Sequence, residues 1–245
     1  MIITGRAVKM DKAIASVTAI VPVYNEKQAI RYSIDKLYQF MASHLLDFEI
    51  LIVESGSTDN TDKICEEISN RRAEVVVFHE ERKNGFGSGL RLGVKNASKD
   101  YVWIVPVDLP FQLETLLDAL ELLDDYDCVL SYRAEDRRHF ARKVQSFIYY
   151  MLCRVLLGIK VKSINSAFKF YRTELLKTFE IISNGWFIDA EIICRLQQLD
   201  AKIVEIPVDV LDRIHGTSKV GTFDSLGVIK EMLVFRKILK NKVGK

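Results

Sequence analysis

Val17-Thr18-Ala19-Ile20-Val21-Pro22-Val23-Tyr24-Asn25-Glu26 decides the reading of this chain. A short run rich in Val and Ile stops at Val23, and Tyr-Asn-Glu follows at once. The run reads as a buried strand over residues 17–23. Its C-terminal end opens into a helix. Asn25 is suited to the N-cap, Gln28 completes a capping box, and Ile30, Ile34, Leu37, Tyr38 and Met41 recur at helical spacing. The pattern then repeats: residues 50–53 form an apolar strand, followed by Glu54-Ser55-Gly56-Ser57-Thr58-Asp59-Asn60-Thr61. Asp59 is the next N-cap candidate, with Asp62 in the first turn. Open α/β sheets hold their ligands beyond the carboxyl ends of the strands. Two strands that each end in a polar, helix-opening loop therefore point to a nucleotide site.

The alternation continues outward. Residues 75–78 read as a third strand, and Asn84-Gly85-Phe86-Gly87-Ser88-Gly89 turns into a helix over 90–97. Residues 101–105 are a continuous apolar strand, as a central parallel strand should be. It ends in Pro106-Val107-Asp108-Leu109-Pro110. A helix over 113–123 and a strand over 128–131 follow. The second half predicts helices over 147–157, 174–182, 189–198 and 225–240, and strands over 167–171 and 202–207. The polar loop Arg213-Ile214-His215-Gly216-Thr217-Ser218-Lys219 precedes the last helix. Strands alternating with helices imply an α/β fold with a mainly parallel sheet. The expected division is a lead-in over 1–15, one α/β domain over 16–221, and a basic amphipathic helix over 222–245.

With 245 residues, 49% of them hydrophobic, the chain can bury one sizeable core. A net charge of +2 gives no case for a nucleic-acid partner. The four cysteines, Cys65, Cys128, Cys153 and Cys194, form no close pair and accompany no His cluster. Buried free thiols in a reducing cytoplasm are expected rather than a zinc site. Residues 1–15 carry charges throughout, unlike a signal peptide. No apolar run is long enough to predict a spanning helix.

Together, Pro22-Val23-Tyr24-Asn25-Glu26, Gly56-Ser57-Thr58-Asp59-Asn60-Thr61, Asn84-Gly85 and Val107-Asp108-Leu109 resemble the family 2 glycosyltransferases. Ser131-Tyr132-Arg133, Arg142 with Ser146, Ser166-Ala167-Phe168-Lys169 and the loop from Arg213 to Lys219 narrow the resemblance. They are similar to the polyprenyl-phosphate glycosyltransferases, the group of the dolichol-phosphate mannose synthases. The resemblance implies a nucleotide-diphospho-sugar transferase (A-type glycosyltransferase) fold, with residues 16–221 as the catalytic domain. It also implies an inverting transfer of a hexose from a nucleotide-diphosphate sugar to a polyprenyl phosphate.

The resemblance also assigns residues. Pro22, Tyr24, Glu26 and Glu54 would line the nucleoside pocket. Asp108 would meet the diphosphate and a Mg2+ or Mn2+ ion. Arg133 and Arg142 would bind the acceptor phosphate, and Arg213, Ser218 and Lys219 would close over the diphosphate. The catalytic set is Asp108, Arg133 and Arg213. Two departures stand out. Pro106 replaces the first Asp of the family's Asp-x-Asp turn, and Pro110 replaces a Gln that often adds a ligand; Gln112 is near in sequence. Glu54-Ser55 replaces the usual Asp pair, leaving a carboxylate one methylene longer. The glycine turn at 85–89 suits either a phosphate cradle or close backbone packing.

A phosphate acceptor is already ionised and needs no strong base, whereas a hydroxyl acceptor does. Asp189 and Glu191 are the candidate bases for that rival, although Asp189 also reads as a helix start. A non-catalytic nucleotide-binding homologue is a second rival, with Pro106 and Pro110 as its evidence. A nucleotidyltransferase of related fold is a third, but it predicts a glycine-rich, Lys-containing loop after the first strand, which is missing. The helix over 147–157 is apolar with basic flanks, and residues 229–240 mix apolar and basic positions. Both suit peripheral contact with the cytoplasmic face of a membrane; docking on the core or in a homodimer is the alternative.

Overall fold

A computed structural model describes residues 15–136, 138–211 and 224–243. Arg213, Ser218 and Lys219 lie outside the described residues. The first half runs β1 (Val17–Val23), α1 (Ile30–His44), β2 (Phe48–Ser55), α2 (Thr61–Ser69), β3 (Val75–Glu80), α3 (Phe86–Asn96) and β4 (Tyr101–Ile104). The second runs α4 (Thr115–Leu120), β5 (Cys128–Arg133), α5 (Phe140–Leu157), β6 (Lys169–Arg172), α6 (Thr173–Lys177), α7 (Ile188–Gln198), β7 (Ile203–Val208) and α8 (Asp224–Val243).

The strands form one sheet in the order β3-β2-β1-β4-β6-β5-β7. β1 to β4 are mutually parallel, β5 and β7 run the same way, and β6 alone is antiparallel to its neighbours. The strand order reverses between β1 and β4, and such a switch point opens a crevice at the carboxyl edge. Pro22 contributes to that opening. It has no N–H to extend the β1–β4 ladder, and the pairing stops two residues earlier, at Ile20 opposite Ile104.

The period of two along β1 divides the core. Ala19, Val21 and Val23 pack with Ile30, Ile34, Leu37 and Met41 of α1 on one face. Ile20 packs with Leu90 and Val94 of α3 on the other. Gly93 is required there, since a Cβ would lie 2.5 Å from Ile20 Cγ2. Trp103 is fully buried between Phe111 and Phe168, with centroid distances of 6.1 and 5.8 Å. All four cysteines are buried and unpaired. Burial pushes the thiols of Cys65, Cys128 and Cys153 up to about 12 and that of Cys194 to about 11.

Several boundaries differ from the sequence reading. Asn25 is not a helix cap: its φ is +50°, and its Oδ1 accepts the Thr58 N–H at 2.8 Å, so it ties the loop after β1 to the loop after β2. α1 begins at Ile30 because the N–H groups of Ala29 and Ile30 bond the Glu26 carbonyl in an intervening turn. Asp59 is not the N-cap of α2 either: Asn60 holds that position at φ +70° without a side-chain cap bond, and Asp59, one residue earlier, accepts the Thr61 N–H at 3.0 Å. α5 starts at Phe140, and Arg142 lies inside its first turn. No helix among the described residues is long and apolar enough to cross a membrane.

Candidate active site

The topology gathers the candidate residues on one edge of the sheet. Glu54 is near the end of β2 and pairs with Val23, the last residue of β1, so Tyr24 leaves from beside it. The Pro106–Leu109 turn leaves from the end of β4, and Arg133 ends β5. Because β6 is antiparallel, its first residue, Lys169, lies on this same edge, opposite Ile104 and Leu130. The segment after β7 is held here too, with the Leu211 N–H bonded to the Pro110 carbonyl at 2.8 Å.

On the nucleoside side, Lys83 Nζ lies 4.3 Å from the centroid of the Tyr24 ring, an arrangement that suits cation–π attraction. Glu26 sits where the chain turns into α1, and its N–H donates to Thr61 Oγ1 at 3.0 Å. Glu54 is buried. Its Oε1 accepts the Ser57 N–H at 2.5 Å, and its Oε2 lies 3.1 Å from His79 Nδ1. The other ring nitrogen of His79 is 2.6 Å from Glu66 Oε1. Partial desolvation would lower the His79 imidazole, but Glu66 and Glu54 together raise it above its ordinary value. Partial burial likewise works against Asp59, yet hydrogen bonds from Thr61 and Lys27 hold its carboxyl below the usual range. The loop that follows β2 is therefore shaped by Glu54 from within and by Asn25 and Asp59 from its rim.

The glycine turn is a packing device. A Cβ on Gly87 would sit 2.5 Å from the Ser183 carbonyl oxygen, and the Gly87 N–H donates to the Asn184 carbonyl at 2.8 Å. Gly85, at φ +99°, meets the same segment. Phe86 stacks on Trp186 at 4.8 Å. Beneath this pair lies a buried ion pair, Lys169 Nζ to Asp189 Oδ2 at 2.5 Å, with Nζ 5.7 Å from the Phe86 ring. Burial pushes the Asp189 carboxyl up against the pull of Lys169, and its Oδ1 is buried with no hydrogen-bond partner among the described residues. Glu191 is different. Its carboxylate accepts from the Ile182 N–H, the Ser183 N–H and hydroxyl, and Arg195 Nε.

On the acceptor side, Arg133 stands exposed at the end of β5. Desolvation lowers its guanidinium below the ordinary value, and the nearby charges of Arg138 and Arg142 lower it further. Arg142 and Lys143 occupy the first turn of α5, which holds no acidic side chain. At the turn after β4, Asp108 is half-buried between buried Val107 and Leu109. Leu109 closes the turn onto the Pro106 carbonyl with φ +43°, a costly conformation for a non-glycine residue. Among the described residues no group of three or more His, Cys, Asp or Glu side chains could hold a metal ion. A divalent cation takes several hard oxygen ligands, and a single strand-end carboxylate does not make that set. Among the described residues the protein side chains alone therefore do not complete a cation site at this turn.

Sequence reasoning missed the Lys169–Asp189 pair, the Phe86–Trp186 stack, His79 and Arg138. Lys169, Asp189 and Phe86 each carried a signal, in the Ser166–Lys169 stretch, as a candidate base and in the glycine turn, but nothing in the sequence paired them with their partners.

An open, mostly parallel sheet with carboxylates and cations along its carboxyl edge is the architecture of the A-type nucleotide-sugar transferases. Mannosyl-3-phosphoglycerate synthase from Rubrobacter xylanophilus superposes with a TM-score of 0.70 at 16% identity, covering 93% of this chain and 75% of that one. Glucosyl-3-phosphoglycerate synthase from Mycobacterium tuberculosis, crystallised with Mn2+, uridine diphosphate and glucosyl-3-phosphoglycerate, gives 0.65 at 21% identity, covering 91% and 80%. The Glycosyl transferase family 2 profile matches residues 18–179, and the chain belongs to that family; it is a glycosyltransferase. Among named relatives, an undecaprenyl-phosphate mannosyltransferase of Micrococcus luteus is 25% identical over 89% of this chain and 91% of its own length. An undecaprenyl-phosphate 4-deoxy-4-formamido-L-arabinose transferase of Edwardsiella ictaluri is 24% identical over 91% of this chain and 68% of its own length. Glycosyltransferase AglD of Haloferax volcanii is 26% identical, and the chain spans 32% of that protein's length.

Proposed function

We propose that the chain moves a hexose from a nucleotide-diphosphate sugar to a polyprenyl phosphate at a membrane surface, with inversion at the anomeric carbon. The observation that carries this reading is the contrast between bases and cations at the carboxyl edge. Glu191 is saturated by four donors and Asp189 is tied to Lys169, whereas Arg133, Arg138, Arg142 and Lys143 crowd the junction of β5 and α5. A site built to deprotonate a hydroxyl needs a free base within reach. A site built for an ionised phosphate needs cations.

In the proposed reaction an acceptor phosphate oxygen attacks the anomeric carbon, and the bond from that carbon to the diphosphate oxygen breaks. The nucleoside diphosphate leaves with the electron pair, and no proton is transferred. Tyr24, Glu26 and the loop shaped by Glu54 bind the nucleoside, beside the crevice that Pro22 helps open. Asp108 borders the diphosphate. Arg213, Ser218 and Lys219 are proposed to balance the charge of the leaving group, and Arg133 and Arg142 to hold the acceptor.

Membrane contact is part of the reading. Phe140, Val144, Phe147, Ile148, Met151 and Val155 recur on one side of α5 and are all exposed, Phe140 at 81% and Val155 at 72%. Ile229, Leu233 and Val234 of α8 are exposed as well, while its Met232 and Phe235 are buried. Exposed apolar side chains beside Arg142, Lys143 and Arg154 suit a surface of anionic lipid. This supports location at the inner face of a membrane.

A thermal-shift panel of uridine, guanosine, cytidine, adenosine and thymidine diphosphates, each with and without Mn2+, tests the donor half. A ligand bound only by the folded state must raise the midpoint. Stabilisation by one nucleotide is expected. A shift that requires Mn2+ would show that Asp108 and the phosphates complete a cation site. No shift with any nucleotide would favour the non-catalytic reading.

A further inference from the structure

Glu54 and His79 are partners in the β2–β3 register, and the imidazole reaches a third element as well. Its Nδ1 lies 3.1 Å from Glu54 Oε2, and its Nε2 lies 2.6 Å from Glu66 Oε1 on α2. Both ring nitrogens thus meet carboxylate oxygens, which only accept. A neutral imidazole has one N–H and one lone pair, so it serves one of these carboxylates and turns its lone pair on the other. Only the imidazolium donates to both. The two partners differ in burial: the Glu54 side chain is 3% exposed and that of Glu66 is 54%. Loss of the proton leaves Glu66 able to turn to water, but it removes the counter-charge of a buried carboxylate that water does not reach.

The two carboxylates flank the loop that runs from β2 into α2. Glu54 precedes it, and Glu66 stands in the helix it enters. Inside the loop, Glu54 Oε1 holds the Ser57 N–H at 2.5 Å. The rim is bonded to the turn after β1: the Asn25 N–H donates to Ser57 Oγ at 2.9 Å, and the Lys27 N–H to Asp59 Oδ2 at 3.2 Å. That turn carries Tyr24 and Glu26, the nucleoside side of the site. One imidazole therefore closes a circuit from β3 through β2, the loop and α2. Glu54 and Glu66 are the charges that act on it among the described residues. Glu80, next along β3, accepts from the hydroxyls of Ser55 and of Ser88 on α3. The Cys65 thiol of α2 is pushed up to about 12 and stays protonated through the neutral range.

We propose that His79, in its protonated form, is a positioning residue for the donor nucleotide: its two N–H groups clamp Glu54 and Glu66 and so hold the loop between them in the shape that receives the nucleoside. His79 acts through Glu54 and the loop. The inference rests on the nucleoside pocket of the proposed reaction and adds a proton to it. Donor affinity is then full at low pH and falls as pH rises through the folded pKa of His79, which lies above the ordinary 6.5.

Isothermal titration of the full chain between about pH 5.5 and about pH 8.5, on either side of the ordinary histidine value, tests it. UDP-glucose, GDP-mannose, CDP-glucose, ADP-glucose and dTDP-glucose are the probes. Their esterified diphosphates have no proton to lose in this range, so a pH profile belongs to the protein. Affinity for the donor that binds is expected to fall about tenfold across the range, as a one-unit difference in pKa between bound and free protein produces. His79→Gln should hold the lower affinity at every pH, which separates His79 from the other three histidines. Glu66→Gln changes an exposed side chain. It should keep the wild-type affinity at the lowest pH and move the fall to lower pH, because the imidazolium loses one of the two charges that favour it. A residue that only fills space would not move this profile. A flat profile in the wild-type chain, a slope that survives in His79→Gln, or a Glu66→Gln profile that coincides with wild type would overturn the positioning role. Should His79→Gln fail to fold, Glu66→Gln decides alone. Binding of none of the five donors at any pH would overturn the donor reading itself, and this inference with it.

Discussion

His79 and Lys169 are the two residues whose electrostatics make the firmest predictions. The His79 imidazole lies between Glu66 and Glu54, and its folded pKa exceeds the unfolded value near 6.5. A group raised in this way stabilises the fold fully below its unfolded pKa. The contribution is lost as pH rises through the folded value. Urea midpoints should therefore fall from pH 6 towards pH 8, and His79→Gln should remove that part of the slope; parallel curves would contradict the assignment. Lys169 and Asp189 are both buried, with side-chain exposures of 8% and 5%. Lys169→Met leaves an uncompensated carboxyl and should cost about 3–5 kcal/mol, read from urea denaturation. A double change, Lys169→Met with Asp189→Leu, should recover most of it. Neither pair was legible in the sequence. His79 and Glu54 are brought together by strand register, and Lys169 and Asp189 by the antiparallel course of β6; no local periodicity encodes either. Glu54 was legible as a strand-end carboxylate, but not the two partners that occupy its oxygens.

Helices and strands were far more legible than their ends. All seven strands and eight helices among the described residues had a counterpart in the hydrophobic pattern, because burial imposes periods of 2 and 3.6 directly. The direction of β6 was not legible, since an alternating pattern reads the same along either course. The start of α5 was missed because Arg142, Lys143 and Gln145 interrupt the apolar positions of its first two turns, so a continuous apolar run began only at Phe147. The glycines of α3 make one prediction at this scale. Gly87→Ala forces a Cβ into the Ser183–Asn184 backbone and should cost about 1–3 kcal/mol, as overpacking does, while weakening nucleotide binding; calorimetry and titration would check both. The exposed stripe of α5 makes another. Phe147→Glu with Val155→Glu should abolish co-sedimentation with anionic vesicles and change stability by no more than about 0.5 kcal/mol, as exposed substitutions do. If the stripe instead joins two copies, vesicle binding will be untouched and a concentration-dependent mass will fall to that of a monomer.

For the whole molecule, the sheet order explains why residues far apart in sequence serve one site. Reversal between β1 and β4 opens the crevice, and antiparallel β6 returns Lys169 to the same edge as Glu54, Asp108 and Arg133. Alternating elements made the fold class legible, and the ordered motifs made the family legible. The metal question was legible only as a departure, at Pro106 and Pro110. The measurement that tests the central claim most directly is transfer from labelled nucleotide sugars to farnesyl phosphate and, separately, to farnesol, in wild-type chain and Arg133→Gln. Labelled product from the phosphate alone, with activity reduced at least about tenfold in Arg133→Gln as loss of a charged contact implies, is the predicted result. Transfer to the alcohol, or equal activity in Arg133→Gln, would contradict the account.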